Sequence, residues 1–208
     1  MDTARDRLGR LDVIVNNAGY GLFGALEEVT ETQVRRQIDT VLRGALRITQ
    51  DALPHLRAQG SGHTIQVSSL SGLVSIPYLG LHQAAKHGLE GYSEALASEV
   101  AAHGNKVTIV EPTPYATEWV NGSREVAAAN PAYDHVRQWW DEHFAATAKA
   151  DPQGVARPVL DLVDTDDPPL RLLLGSYGLP VVEAVYSQRL QTRRRWKAVA
   201  DAADRPPH

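Results

Sequence analysis

Four short runs of aliphatic and β-branched residues, LDVIV (11–15), HTIQVS (63–68), KVTIVE (106–111) and LRLLLG (170–175), alternate with long stretches of helical patterning. None of the four shows the sustained apolar–polar alternation of a half-solvated strand, so both faces are expected to be covered. Helices must then lie on both sides of the sheet, and each strand reaches a parallel neighbour through a crossover. The chain is therefore expected to build βαβ units around a parallel sheet, an α/β fold.

The helical signals are specific. Thr30 with Gln33 makes a capping box, opening a helix that runs to about Gln59, where Gly60 stops it. A second helix is expected over 81–102, ending near Gly104. Asp151 and Pro152 place an N-cap and a first-turn proline ahead of a short helix to about 164, and a last helix covers about 179–203. Residues 112–150, rich in Ala and Trp and punctuated by Asn130-Pro131, are expected as a loop plus a helix over AYDHVRQWWDEHF. That segment should lie across the carboxyl ends of the strands, where open α/β sheets bind ligands. The 208 residues suit one domain carrying 112–150 as a substrate loop or lid. The chain enters on helix-like sequence, DTARDRLGR, with no strand before it.

Composition removes several function classes. A net charge of −4 gives no electrostatic case for nucleic acid or a membrane surface. The densest basic run, Arg193-Arg194-Arg195, falls in the last helical pattern and reads as a solvated face. The absence of cysteine excludes disulfides, thiolate catalysis and thiolate metal sites. His55, His63, His87, His103, His135 and His143 are scattered without metal-ligand spacing, so no metal site is expected. With no 18-residue apolar run and no signal-like start, a cytoplasmic location is expected.

Motifs mark the strand ends. NNAG (Asn16–Gly19) follows the first strand, VSS ends the second, Lys86 stands seventeen residues beyond Ser69, and VEP ends the third. In this order and spacing, over about residues 3–205, the chain resembles the C-terminal two-thirds of a short-chain dehydrogenase/reductase. The resemblance implies a truncated Rossmann-type, doubly wound parallel sheet, with the family's strands 4-5-6-7 retained and strands 1–3 absent. It also implies roles for matching positions. Asn17, Ala18 and Gly19 shape the wall near the cofactor, and Ser69 orients the substrate oxygen. Lys86 binds the nicotinamide ribose and lowers the pKa of the catalytic tyrosine, and Thr117 reaches the carboxamide.

The departures are as informative. The family's tyrosine belongs thirteen residues after the serine, and that position is His82. The helix asparagine that holds a relay water falls on Val41, and the proline-glycine pair after the third strand here reads Pro112-Thr113. No glycine-rich turn precedes LDVIV to cradle the dinucleotide phosphates. The glycines of GYGLFG (19–24) follow the wrong strand and read as a flexible active-site loop. Hence no cofactor is expected for the isolated chain, and NAD(P) only if a partner supplies the nucleotide half. The family's dimer would use helices 30–58 and 81–102. Strand 11–15 would form an open edge guarded only by Asp12, so a homo-oligomer, pairing at that edge, or cover from residues 1–10 is expected.

The candidate catalytic set is Ser69, His82 and Lys86. The positive charge of Lys86, one turn away, favours a neutral imidazole at His82, a base poised near neutrality. The alternative is a polar residue that entered after catalysis was lost. Tyr20, Tyr78, Tyr115 and Trp119 are candidate pocket residues, the hydroxyl of Tyr78 being a candidate to fill the tyrosine's place. Plain aromatic packing is the leading account for Tyr20 and Tyr115. Trp139 and Trp140 would form the apolar face of the lid. Three functions compete. One is a cofactor-independent acid–base enzyme of isomerase, cyclase or dehydratase type, acting on a small, partly apolar carbonyl or alcohol. Another is an NAD(P)-dependent oxidoreductase whose nucleotide-binding half is missing from this chain or supplied by a partner. The third is an inactive subunit of an assembly. The first leads, because loss of both the phosphate cradle and the tyrosine is hard to offset.

Overall fold

The computed structural model of the chain describes residues 1–117, 119, 122–145, 147 and 149–204. The four apolar runs form β1 (Val13–Asn16), β3 (Gly62–Val67), β4 (Asn105–Pro112) and β6 (Arg171–Leu174), all parallel, in the spatial order β1-β3-β4-β6. Spatial order follows chain order, so each crossover moves one strand outward along the sheet.

Side chains leave the two faces of each strand alternately, and each face has its own helices. On one side Leu11 and Ile14 pack with Ala52 and Leu56 of α3 (Gly44–Gln59). There too Val107 packs with Leu96 and Val100 of α4 (Gly80–Val100). On the other side Ile65, Val110 and Leu174 pack with Leu162. Leu162 lies in α6 (Gln153–Val163), which follows α5 (Asp134–Trp140). α7 (Gly178–Arg195) rests its Val181, Val182 and Val185 on Leu70, Leu73 and Val74, in a cluster with Leu173, whose side chain leaves the face opposite to Leu174. It is followed by α8 (Lys197–Ala203).

The capping box at Thr30 forms in both directions and opens α2 (Glu31–Ile38). The single helix expected from 30 to 59 is interrupted, however. A π-type turn over Asp39–Arg43 separates α2 from α3 and buries Val41. Such a turn inserts one extra residue, which no hydrophobic period reveals. A second element escapes the pattern through shortness: β2 (Leu22–Phe23) pairs in parallel with β5 (Glu125–Val126), binding the loop after β1 to the 112–150 segment.

The first residues form α1 (Asp2–Leu8), whose Met1 and Ala4 sides pack on Leu11 and Ile14. They shield part of β1 and leave Val15 51% exposed. No strand pairs with the outer edge of β1 among the described residues. No described helix is long and apolar enough to cross a membrane.

Candidate active site

The site is assembled at the carboxyl ends of β1 and β3. Asn16, the last residue of β1, is buried and donates from Nδ2 to Thr49 Oγ1 and Gln66 Oε1, both at 3.0 Å. Gln66 Nε2 closes the triangle on Thr49 at 3.1 Å. This lock fixes the end of β1, so Asn17, Ala18 and Gly19 leave the sheet in a defined direction with exposed backbone. Beyond β3, Ser68 is buried and half-buried Ser69 caps the turn Leu70–Gly72, its Oγ accepting from Ser71 N at 3.1 Å. That bond leaves the Ser69 hydroxyl hydrogen free to donate.

α4 brings His82, Lys86 and Glu90 to one buried face, four residues apart. Lys86 Nζ donates to the carbonyl of Val67 at 2.6 Å. A side chain at Gly19 would come within 3.8 Å of that ammonium and 3.7 Å of Val41 Cγ2. The NNAG loop, the end of β3, Lys86 and Val41 therefore converge. Burial lowers the Lys86 pKa to about 8, with the charge of Glu90 acting in the opposite sense.

His82 Nδ1 stands 3.2 Å from the carbonyl oxygen of Tyr20. A carbonyl only accepts, so this contact is a hydrogen bond in the tautomer with the ring proton on Nδ1 and the lone pair on Nε2. Gln37, fully buried, donates from Nε2 to the same carbonyl at 3.3 Å, and its second N–H, 3.2 Å from Nδ1, donates to that nitrogen in the other tautomer. Burial, then the neighbouring Lys86 charge, lowers the His82 pKa to about 3, against a small opposing effect of the Tyr20 bond. The expectation of a base poised near neutrality is thus corrected. Its sign was right, but a ring only 2% exposed is shifted far further than one nearby charge suggests.

An aromatic wall stands over His82. The Trp119 ring lies 5.1 Å from His82 and 5.4 Å from Phe23. Phe23 also meets Tyr78 at 5.8 Å and Trp140 at 5.2 Å, and Trp140 stacks on Phe144. Tyr78 adopts a left-handed φ of 76°, an unfavourable conformation for a side chain of its size, and its carbonyl accepts from Gly24 N at 2.9 Å. Its ring belongs to this wall.

The remaining candidates divide. Tyr20 meets His82 through its main chain, while its hydroxyl is buried with no hydrogen bond among the described residues. Tyr115, half-buried, packs against the cluster of Ile65, Val110, Leu162 and Leu174 and forms a bridge with Ala150, as plain aromatic packing would have it. Its place one residue past Pro114 looked like a loop, and the bridge turned the chain inward. Thr117 is exposed, and its Oγ1 accepts from Trp119 N at 3.4 Å. Trp139 stacks on His143 and touches the wall only at Phe144, 5.9 Å away, whereas Trp140 meets Phe23 directly.

Three contributors were not read from the sequence. Phe23 lies in a two-residue strand, and Gln37 sits mid-helix in a strongly polar stretch. Glu28, the third, is one of two adjacent glutamates. Its carboxylate, 1% exposed, receives the backbone N–H groups of Ala25 and Asn130 and the guanidinium of Arg137.

Residues 1–127 match the family model described as short chain dehydrogenase. The chain is 35% identical to Oxidoreductase BOA17 of Botryotinia fuckeliana over 176 residues, which are 83% of this chain and 64% of that one. It resembles the solved structure of a short-chain dehydrogenase from Streptomyces avermitilis with a TM-score of 0.89 at 34% identity, covering 98% of this chain and 74% of that one. The structure of ElxO with NADP bound matches with a TM-score of 0.67 at 26% identity, covering 83% of this chain and 68% of that one. A parallel sheet of this order, with NNAG and Lys86 meeting at its carboxyl end, is a fold of Rossmann type. The chain is a member of the short-chain dehydrogenase family.

Proposed function

We propose that this chain forms the substrate-side part of an NAD(P)-dependent oxidoreductase acting on an apolar alcohol or the corresponding ketone. The observation that carries this reading is the setting of Lys86, buried, anchored on Val67 O and directed at the exposed backbone of Gly19.

The residues fit one end of a dinucleotide. Lys86 spends one of three N–H donors on Val67, so two remain for ribose hydroxyls beside the open Asn17–Gly19 backbone. The pyrophosphate end calls for a glycine-rich turn at a helix N-terminus, and this sequence holds none ahead of β1. The chain spans 64% of the length of BOA17, and the whole protein's cofactor site is part of this proposal. When bound, the nicotinamide exchanges a hydride with the carbon bearing the substrate oxygen.

At that oxygen the chain offers a donor, Ser69 Oγ–H, and an acceptor, His82 Nε2. A hydroxyl uses both, whereas a carbonyl oxygen only accepts, so the pair suits the alcohol form. With its pKa lowered to about 3, His82 carries no second proton to give at neutral pH and orients the alcohol as an acceptor, and the hydroxyl proton released on oxidation passes to solvent water. The same shift withdraws His82 as the titrating group of the cofactor-independent acid–base alternative, which then rests on Lys86 alone. The half-buried rings of Tyr78, Trp119 and Trp140, backed by buried Phe23, favour an apolar or aromatic substituent.

The test is NAD(P)-linked oxidation of aryl and long-chain secondary alcohols by the polypeptide of the complete reading frame, followed through the absorbance of reduced nicotinamide. Turnover lost in Ser69→Ala and Lys86→Met supports the reading. Conversion that proceeds without dinucleotide would overturn it in favour of acid–base chemistry.

A further inference from the structure

A second group of buried charges lies one helical turn beyond Lys86. Glu90 of α4 and Glu111 of β4 have side chains only 7% and 4% exposed, and both face the guanidinium of Arg171 on β6. Arg171 Nε is 3.3 Å from Glu90 Oε2 and 3.5 Å from Glu111 Oε1, while its Nη2 reaches the solvated Glu94 at 3.1 Å. Neither oxygen of Glu90, nor Oε1 of Glu111, takes a hydrogen bond among the described residues. The Ser68 hydroxyl faces Glu90 beside Gly72 without reaching hydrogen-bond geometry.

The charge balance does not close if both buried carboxyls ionise. One guanidinium is shared among three carboxylates, and two like charges taken out of water at close range resist double ionisation. The charged and polar groups facing the pair are Lys86, His87 and Glu94 from α4, Ser68 from the end of β3, and Arg171 from β6. Burial raises both acids, and the Glu90 charge helps bring Glu111 to about 7. Glu90 has Lys86, Ser68 and Arg171 to favour its anion, whereas Glu111 has Arg171 alone. The proton therefore belongs on Glu111.

We propose that Glu90 and Glu111 hold one proton between them and act as a positioning pair for Lys86. Ionised Glu90 keeps the buried ammonium charged, and protonated Glu111 keeps Glu90 ionised. The pair rests on the reading of Lys86 as the ribose-binding group and adds the device that maintains its charge. Removing the proton from Glu111 leaves the cluster one charge more negative and strengthens the hold on the Lys86 proton.

The pair is tested without substrate or cofactor, so its failure is distinct from failure of the proposed function. Infrared spectra of the unsubstituted protein at neutral pH, with and without carbon-13 glutamate, should show a protonated carboxyl band that moves with the label. Its absence overturns the proposal without any variant having to fold. The Lys86 ε-carbon signal, assigned through Lys86→Arg, is then titrated by NMR. Glu90→Gln should lower the Lys86 pKa by about one unit, the size of one buried charge partner. Glu111→Gln should abolish the protonated band without lowering the Lys86 pKa. Equal shifts in both variants, or none in either, would mean that the acids merely fill space.

Discussion

Arg137 of α5 donates to the carboxylate of Glu28, and this one contact fastens the helix that carries Trp140 to the loop that carries Phe23. Four groups from two distant segments meet there, since Ala25 N, Asn130 N and Arg137 Nη1 all converge on Glu28. Burial alone would raise the Glu28 pKa, but these donors outweigh it and the net shift is downward. Glu28→Ala strands three donors and should cost about 3 kcal/mol, read as a lower urea midpoint. It should also change tryptophan fluorescence, because Trp140 loses its support. An unchanged spectrum would mean that α5 is held by its aromatic contacts alone.

Acid should unfold this protein through its buried neutral histidines. His63 is held to a pKa of about 4 by burial, then by the Lys106 charge, and His82 to about 3. An unfolded histidine takes its proton near 6.5, so below that value the unfolded chain binds more protons than the folded one. Stability is full above about 6.5 and falls by up to ~1.4 kcal/mol per pH unit for each histidine as pH drops toward 4. Urea midpoints at neutral and mildly acidic pH check the slope. His63→Asn or His82→Asn, if folded, should flatten it.

Two helix-ending glycines are expected to differ. Gly60 and Gly104 both adopt left-handed φ, 72° and 69°. A side chain at Gly60 meets nothing within 4 Å, whereas at Gly104 it would lie 2.3 Å from the carbonyl oxygen of Gly60. Gly60→Ala should therefore cost about 1 kcal/mol, the conformational penalty alone. Gly104→Ala should cost clearly more, because the obstacle is backbone. Thermal unfolding of the two variants decides it.

His82→Tyr tests the substitution that sets this chain apart within its family. A phenol one turn from Lys86 would have its pKa lowered by the ammonium and could return a proton to an alkoxide, which neutral His82 does not do. NAD(P)-linked turnover in the complete reading-frame protein should rise and acquire an alkaline limb. A variant that folds but turns over no faster would show that Trp119, 5.1 Å from the ring, already governs access.

Much of the frame was legible because its signals are local. The strand runs, the capping box at Thr30 and the stops at Gly60 and Gly104 depend on neighbours within a few residues, and each stands where the sequence placed it. The spacing from Ser69 through His82 to Lys86 carried the family. Tyr115, Gln37 and Glu28 were not legible for the converse reason. A loop tyrosine finds the edge of the core only when Ala150 returns beside it, and a glutamate becomes a clasp only when residues 130 and 137 fold over it.

By itself, then, the sequence determined a parallel α/β sheet and put Ser69, His82 and Lys86 at its carboxyl end, because hydrophobic period and motif spacing survive without knowledge of partners. Only the tertiary structure decided what those side chains are. Burial made His82 neutral and Lys86 weakly held, and folding brought the carbonyl of Tyr20 and the amide of Gln37 to the same imidazole nitrogen. Glu90 and Glu111, twenty-one residues apart, were brought before one arginine. Protonation depends on desolvation and on charges brought close by folding, and neither is written in the spacing along the chain.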